Sequence, residues 1–182
     1  RAKFSIEYPS SFMLIASMNP CPCGYFNHPE KECVCGPGMV QKYLSKVSGP
    51  LLDRIDIHIE VTPVDFEQLT DTRKAEKSES IRERVMKARE IQTQRFTENE
   101  GIHSNAMMSS TKVREVCQIN AAGQTLLKTA MTRLQLSARA YDRILKVART
   151  IADLDGSEDI QIEHLAEAIQ YRSLDRESWG AS

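Results

Sequence analysis

Phe12-Met-Leu-Ile-Ala-Ser-Met-Asn-Pro-Cys-Pro-Cys-Gly24 is an apolar run, broken only by Ser17, that stops at a polar amide and a rigid proline, then enters a cysteine-rich loop. A continuous apolar run of this length is the pattern of a strand buried on both faces, as in a parallel sheet covered by helices. In open α/β sheets ligands sit just beyond the carboxyl ends of such strands, which puts Asn19 where a polar group can touch a bound nucleotide. The plainer reading of Asn19-Pro20 is a turn start, and the dipeptide alone favours it.

Working outward, Cys21-Pro-Cys23 and Cys33-Val-Cys35 are two Cys-x-Cys pairs with nine residues between them. Four thiolates from two knuckles can close a tetrahedral zinc site, although Cys-x-x-Cys is the commoner spacing. Gly24 and Gly36 follow the pairs and suit the tight backbone that adjacent ligands need. His28 lies between the pairs as a substitute ligand. The alternatives are two disulfides or simply buried thiols. Nothing else in the chain looks secreted, so zinc is favoured over disulfides, in a closed structural site that replaces an apolar core the loop lacks. Cys117 stands alone in an amphipathic segment and reads as a small buried hydrophobe.

The 182 residues suffice for one domain or two small ones, and 41% hydrophobic content can build a core. A net charge of −1 supplies no global field to recruit nucleic acid, although a local basic patch is still allowed. No apolar run approaches the ~18 residues of a membrane helix and no signal peptide pattern occurs, so the expectation is a soluble, cytoplasmic protein without membrane association. The chain begins at Arg1, without a Met, on the approach to the apolar run, and reads as a piece of something longer.

Phe4 to Met18 is expected to form one or two strands, followed by the cysteine loop at 20–36. Pro37 to Val47 reads as a short helix and Gly49 to Arg54 as a helical turn. Ile55-Asp-Ile-His-Ile-Glu-Val61 alternates strictly and predicts a half-exposed strand near a sheet edge, with His58 solvated on its polar face. Residues 70–80 are polar and read as a linker or a solvated helix start. Ile81, Val85, Ala88 and Ile91 predict an amphipathic helix over about 78–96. Residues 98–108 look irregular. Ser110 reads as the cap of a helix through Cys117, Asn120 as the cap of one to about Gln135, and Ser137 as the cap of the strongest helix, ending at Asp155-Gly156. A last helix is expected over about Ile160–Arg172. Strands therefore end near residue 62 and only helices follow.

Two arginines stand out. Arg54, between a helical turn and a strand, can present its fork of donors to a phosphate; a salt bridge to Asp53 or Asp56 is the simpler assignment. Arg139 falls in the first turn of its helix, where the helix dipole disfavours a cation by about 0.3–1 kcal/mol and an external anion would compensate. Arg143, Lys146 and Arg149 share its face, and for Lys146 and Arg149 a solvated basic face is preferred. No Gly-x-x-x-x-Gly-Lys-Ser/Thr and no strand ending in paired carboxylates occurs, so this chain by itself is not expected to bind ATP tightly or hydrolyse it.

Three segments now join: Phe12–Gly24, Ser48-Gly-Pro-Leu-Leu-Asp-Arg-Ile-Asp-Ile-His-Ile-Glu-Val61 and Leu136-Ser-Ala-Arg-Ala-Tyr-Asp-Arg-Ile-Leu-Lys-Val-Ala-Arg-Thr-Ile-Ala-Asp-Leu154. In this order they resemble the magnesium-chelatase-like AAA+ ATPases of the YifB/ComM competence type, over nearly the whole chain and most weakly at 63–80 and after 172. The resemblance implies an α/β remnant of an AAA+ core at 1–69, a linker at 70–80 and an all-α helical lid at 81–182. It implies that Asn19 is sensor 1, orienting the attacking water, that Arg54 is an arginine finger entering a neighbouring subunit's ATP site, and that Arg139 is sensor 2, touching its own subunit's phosphates. ATP and magnesium would serve the parent protein, with structural zinc on Cys21, Cys23, Cys33 and Cys35. The phosphate loop would precede Arg1. Full-length members look like hexameric motors, the ComM type acting on branched DNA in recombination. A chelatase-like subunit driving metal insertion is the alternative within the family. A zinc-stabilised binding module with no ATPase role is the alternative outside it.

Overall fold

The computed structural model describes residues 5–10, 12–61, 63–64 and 75–172. Among them lie seven α-helices: α1 Met39–Leu44, α2 Gly49–Leu52, α3 Ser78–Arg95, α4 Ser110–Val116, α5 Ala121–Arg133, α6 Ala138–Asp155 and α7 Ile162–Gln170, with a 3₁₀ turn at Asn105–Met107 between α3 and α4. The polar linker expected at 70–80 lies partly outside the described residues, as do Phe4 and residues 173–182 of the expected lid.

Helix α6 is the axis of the fold. Ala140, Ile144, Leu145, Ala148 and Ala152 recur at helical spacing and are all buried, which makes one apolar face. That face packs against α7, α3, α4 and the 3₁₀ turn, and α7 in turn carries α5. Phe96, Met108, Val113, Cys117, Leu127, Ile160, Leu165 and Ala168 close the same core. Cys117 is thus the buried apolar residue its isolation suggested.

The helix ends follow local chemistry. Ser109, one residue before the expected Ser110, accepts from the Lys112 N–H at 3.3 Å. Asn120 accepts from Gly123 at 2.8 Å and Ser137 from Ala140 at 3.2 Å. Gly156 ends α6 in the left-handed region (φ 70°), and the Ser157 N–H returns to the Ala152 carbonyl at 2.8 Å. Helix α3 spans the expected residues, yet only Ala88 and Gln92 on it are buried; Ile81 and Val85 stay 43% and 42% exposed. Its first half projects from the bundle.

The expected strands do not form: among the described residues there is no β-strand, neither in 5–18 nor in 55–61. A strand needs a neighbour for its backbone hydrogen bonds, and the described residues offer none. The apolar run is therefore open, with Met13 83% and Ile15 82% exposed. Residues 55–58 are held by the bundle instead, while 59–61 stay exposed. The His58 N–H donates to the Tyr171 carbonyl at 2.8 Å, just past α7, and His58 Nε2 lies 3.2 Å from the Leu52 carbonyl. His58 is consequently buried, not solvated.

Candidate functional site

The cysteine loop folds into two turns that bring four sulfurs together. Gly24 adopts φ 84° and donates to the Cys21 carbonyl at 3.0 Å, while the Phe26 N–H donates to Cys21 Sγ at 3.3 Å. Gly36 is not in the left-handed region; Gly38, with φ 72°, takes that role where the loop enters α1. All five cysteines are free thiols, so the disulfide alternative does not hold. Cys21, Cys23, Cys33 and Cys35 have their sulfurs within 4.8 Å of one another, with 3.3 Å between Cys21 and Cys23, 3.8 Å between Cys21 and Cys33 and 3.6 Å between Cys23 and Cys33. Zinc–sulfur bonds of about 2.3 Å in a tetrahedron set sulfurs about 3.8 Å apart. The donor set fits such an ion. His28 is used otherwise, its Nδ1 accepting the N–H groups of Glu30 and Lys31 at 3.1 Å each.

The thiols are unequal. The backbone N–H of Tyr25, acting against desolvation, brings Cys23 down to about 6. At Cys35 a backbone hydrogen bond from Cys23 pulls downward, but desolvation and the other three thiols push it up to about 12. The metal-free cluster thus keeps protons that a bound ion would displace.

A second cluster of charge forms where residues 53–58 meet the bundle. Arg54 is exposed and donates from Nη1 to the Pro50 carbonyl at 2.7 Å. It makes no ion pair with Asp53 or Asp56, because both carboxylates are turned toward the bundle. Asp53 Oδ1 accepts from Ser137 Oγ at 2.7 Å and lies 3.9 Å from Arg172, and Asp53 Oδ2 lies 3.9 Å from Arg139. Asp56 pairs with Arg143. Arg139, in the first turn of α6, keeps 66% of its side chain exposed. Its carboxylate partner offsets the unfavourable dipole without saturating the guanidinium. Asn19 is exposed, and among the described residues no hydrogen bond or ion pair joins it to Arg54 or Arg139.

Of the rest of the basic face, Arg149 is buried and Lys146 half-buried. Arg149 holds Asp153 at 3.1 Å and the carbonyls of Glu158 and Ser157 at 2.6 Å each. Lys146 Nζ donates to the Ala106 carbonyl at 2.9 Å, and burial lowers its pKa. Asp153 also receives both Arg95 nitrogens, at 2.5 and 2.8 Å, and Asn105 Nδ2 at 2.8 Å. Burying this network is tolerable because every charge in it meets an opposite one. Sequence spacing put Arg149 on the α6 face. Its carboxylate partner Asp153 is the i+4 residue of the same helix and is legible in the spacing; its carbonyl partners Ser157 and Glu158 lie in the loop just past α6.

A family profile described as "Magnesium chelatase, subunit ChlI C-terminal" matches residues 75–172, and one described as "Magnesium chelatase, subunit ChlI" matches residues 1–69. The chain is 41% identical over 177 residues to "Competence protein ComM" of Haemophilus influenzae, covering 97% of this chain and 33% of that protein. It is 39% identical over 177 residues to "Uncharacterized protein YifB" of Escherichia coli, covering 97% of this chain and 34% of that protein. The chain therefore spans about a third of the length of the curated relatives it matches.

Proposed function

The chain belongs to the magnesium chelatase subunit ChlI family, in its ComM and YifB-like branch, and on that footing we propose that it is the carboxy-terminal part of an ATP-driven AAA+ motor. In this reading residues 1–69 are the end of the ATPase core, 70–80 a linker and 81–182 the lid. Residues 5–18 and 55–61 take strand partners from a core in the longer protein. Asn19 orients the attacking water as sensor 1. Arg54 reaches the neighbouring subunit's ATP as an arginine finger. Arg139 contacts its own subunit's phosphates as sensor 2. ATP and magnesium serve the parent protein, which assembles as a cytoplasmic hexamer. Branched DNA is its substrate, an extension from the relative named as a competence protein. Cys21, Cys23, Cys33 and Cys35 hold a structural zinc ion.

What supports the reading most is a pair of exposed guanidiniums, Arg54, next to Asp53 in the chain, and Arg139, 3.9 Å from the Asp53 carboxylate. Neither arginine is consumed by a close ion pair, and positive groups aimed at developing phosphate charge are the main device of phosphoryl transfer. Fingers of this kind contribute about 10³–10⁵ in rate. In the intact protein Arg54→Ala should abolish hydrolysis and leave ATP binding largely intact, whereas Arg139→Ala should weaken both. Mixing the two variants should restore part of the activity at interfaces where an intact finger meets an intact lid. Normal hydrolysis by Arg54→Ala would remove Arg54 from the mechanism and the motor reading with it.

Among the described residues no helix is long and apolar enough to cross a membrane.

A further inference from the structure

The segment that carries Arg54 is fastened to the lid at several points. Ser137 Oγ, whose oxygen caps α6, donates to Asp53 at 2.7 Å. Arg172, fully buried past the end of α7, donates to the Ile55 carbonyl and lies 3.5 Å from the Asp53 carbonyl and 3.9 Å from its carboxylate. Arg143 takes Asp56, and the Tyr171 carbonyl takes the His58 N–H. Residues 53–58 are thereby tied to the start of α6 and the end of α7, while Arg54, in their midst, stays exposed.

We infer that Asp53 is a positioning residue that couples Arg139 to Arg54, so that the state of a subunit's own nucleotide site sets the placement of the finger it offers to its neighbour. This rests on the functional reading above. Asp53 precedes the finger directly and is the carboxylate shared by Ser137, Arg139 and Arg172. At 3.9 Å the contact with Arg139 is an ion pair beyond hydrogen-bond distance, and a mostly exposed guanidinium can leave it for a phosphate. Ser137 and Arg172 keep their hold on Asp53 when it does. A rotation of α6 that follows Arg139 onto a phosphate then carries residues 53–58 along. Burial of the Arg172 end makes this a stiff connection, since packed interiors transmit displacement instead of absorbing it.

The test uses Asp53→Asn, which keeps the shape and an acceptor for Ser137 and removes the charge. In the intact protein we expect kcat to fall about tenfold or more with ATP affinity within about twofold, the signature of an interaction expressed in the transition state. The His58 amide, which reports docking on Tyr171, should exchange with solvent about tenfold faster, while core amides of α6 such as that of Ile144 stay unchanged. If the Asn variant does not fold, Ser137→Gly removes the hydroxyl that grips Asp53 while glycine remains an accepted capping residue, and should show the same pattern. Unchanged His58 exchange, or a fall in kcat matched by an equal loss of ATP affinity, overturns the inference. Normal hydrolysis by Arg54→Ala overturns the functional reading instead, and the exchange measurement then still decides whether Asp53 holds the segment.

Discussion

Residues 20–36 bury a single side chain, Cys21, beside three other sulfurs, whereas residues 88–172 bury an apolar cluster running from Phe96 to Ala168 around Ile144 and Leu145. The first region has turns but no helix or strand of its own, and its shape is the shape of a donor set. The second has helices capped at Ser109, Asn120 and Ser137 and a buried ion-pair network, so its shape needs no ligand. One chain thus contains a part that chemistry must hold and a part that solvent exclusion holds. The two respond to different perturbations.

The largest expected effect comes from stripping metal. One zinc ion per chain should be found by elemental analysis, and ion binding of this type contributes about 10–16 kcal/mol to local order. A strong chelator should release the amides of residues 20–36 to rapid exchange and leave the helical circular dichroism and melting of the bundle in place. Joint melting of both regions would break the comparison. The converse perturbation is Leu145→Ala, which opens a cavity at a position 1% exposed and should cost the bundle about 2–5 kcal/mol in denaturant unfolding. Zinc stoichiometry should not change. The smallest effect is read on the thiols of metal-free protein. Cys23, lowered to about 6, is chiefly thiolate at neutral pH, whereas burial pushes Cys117 up to about 11 and keeps it protonated. Allowing for the weaker nucleophilicity of the more acidic thiol, Cys23 should alkylate about thirty- to a hundredfold faster at pH 7, and mass spectrometry should see the gap narrow as pH rises from 7 to about 9.

The bundle was legible in the sequence because its signals are local. Caps, the period of α6 and the Asp155-Gly156 stop lie within a few residues of what they determine, and Ser109 for Ser110 is an error of one position. The cysteine site was legible because spacing alone brings two knuckles together. The strands expected at 4–18 and 55–61 do not form among the described residues for the opposite reason. Their apolar pattern specifies burial but not a partner, and the described residues supply none. The solvated position assigned to Arg149 failed similarly, and the one assigned to Lys146 holds only in part. A helical wheel shows Asp153 four residues after Arg149, but not that the carbonyls of Glu158 and Ala106 await the same face. Asp53 and Asp56 were considered as neighbours of Arg54, yet their partners are Ser137 and Arg143, over eighty residues away.

Helix α3 is gripped near its carboxyl end, where Arg95 locks onto Asp153 and Gln92 accepts from the Asn105 N–H at 3.0 Å. Burial on α3 begins at Ala88, ten residues beyond Ser78, which at 1.5 Å per residue leaves an arm of about 15 Å. Tilting the arm by about ten degrees at its root sweeps the tip through about 3 Å. Small adjustments among buried charges are therefore magnified at the far end, as a short stroke at a fulcrum is magnified along a lever.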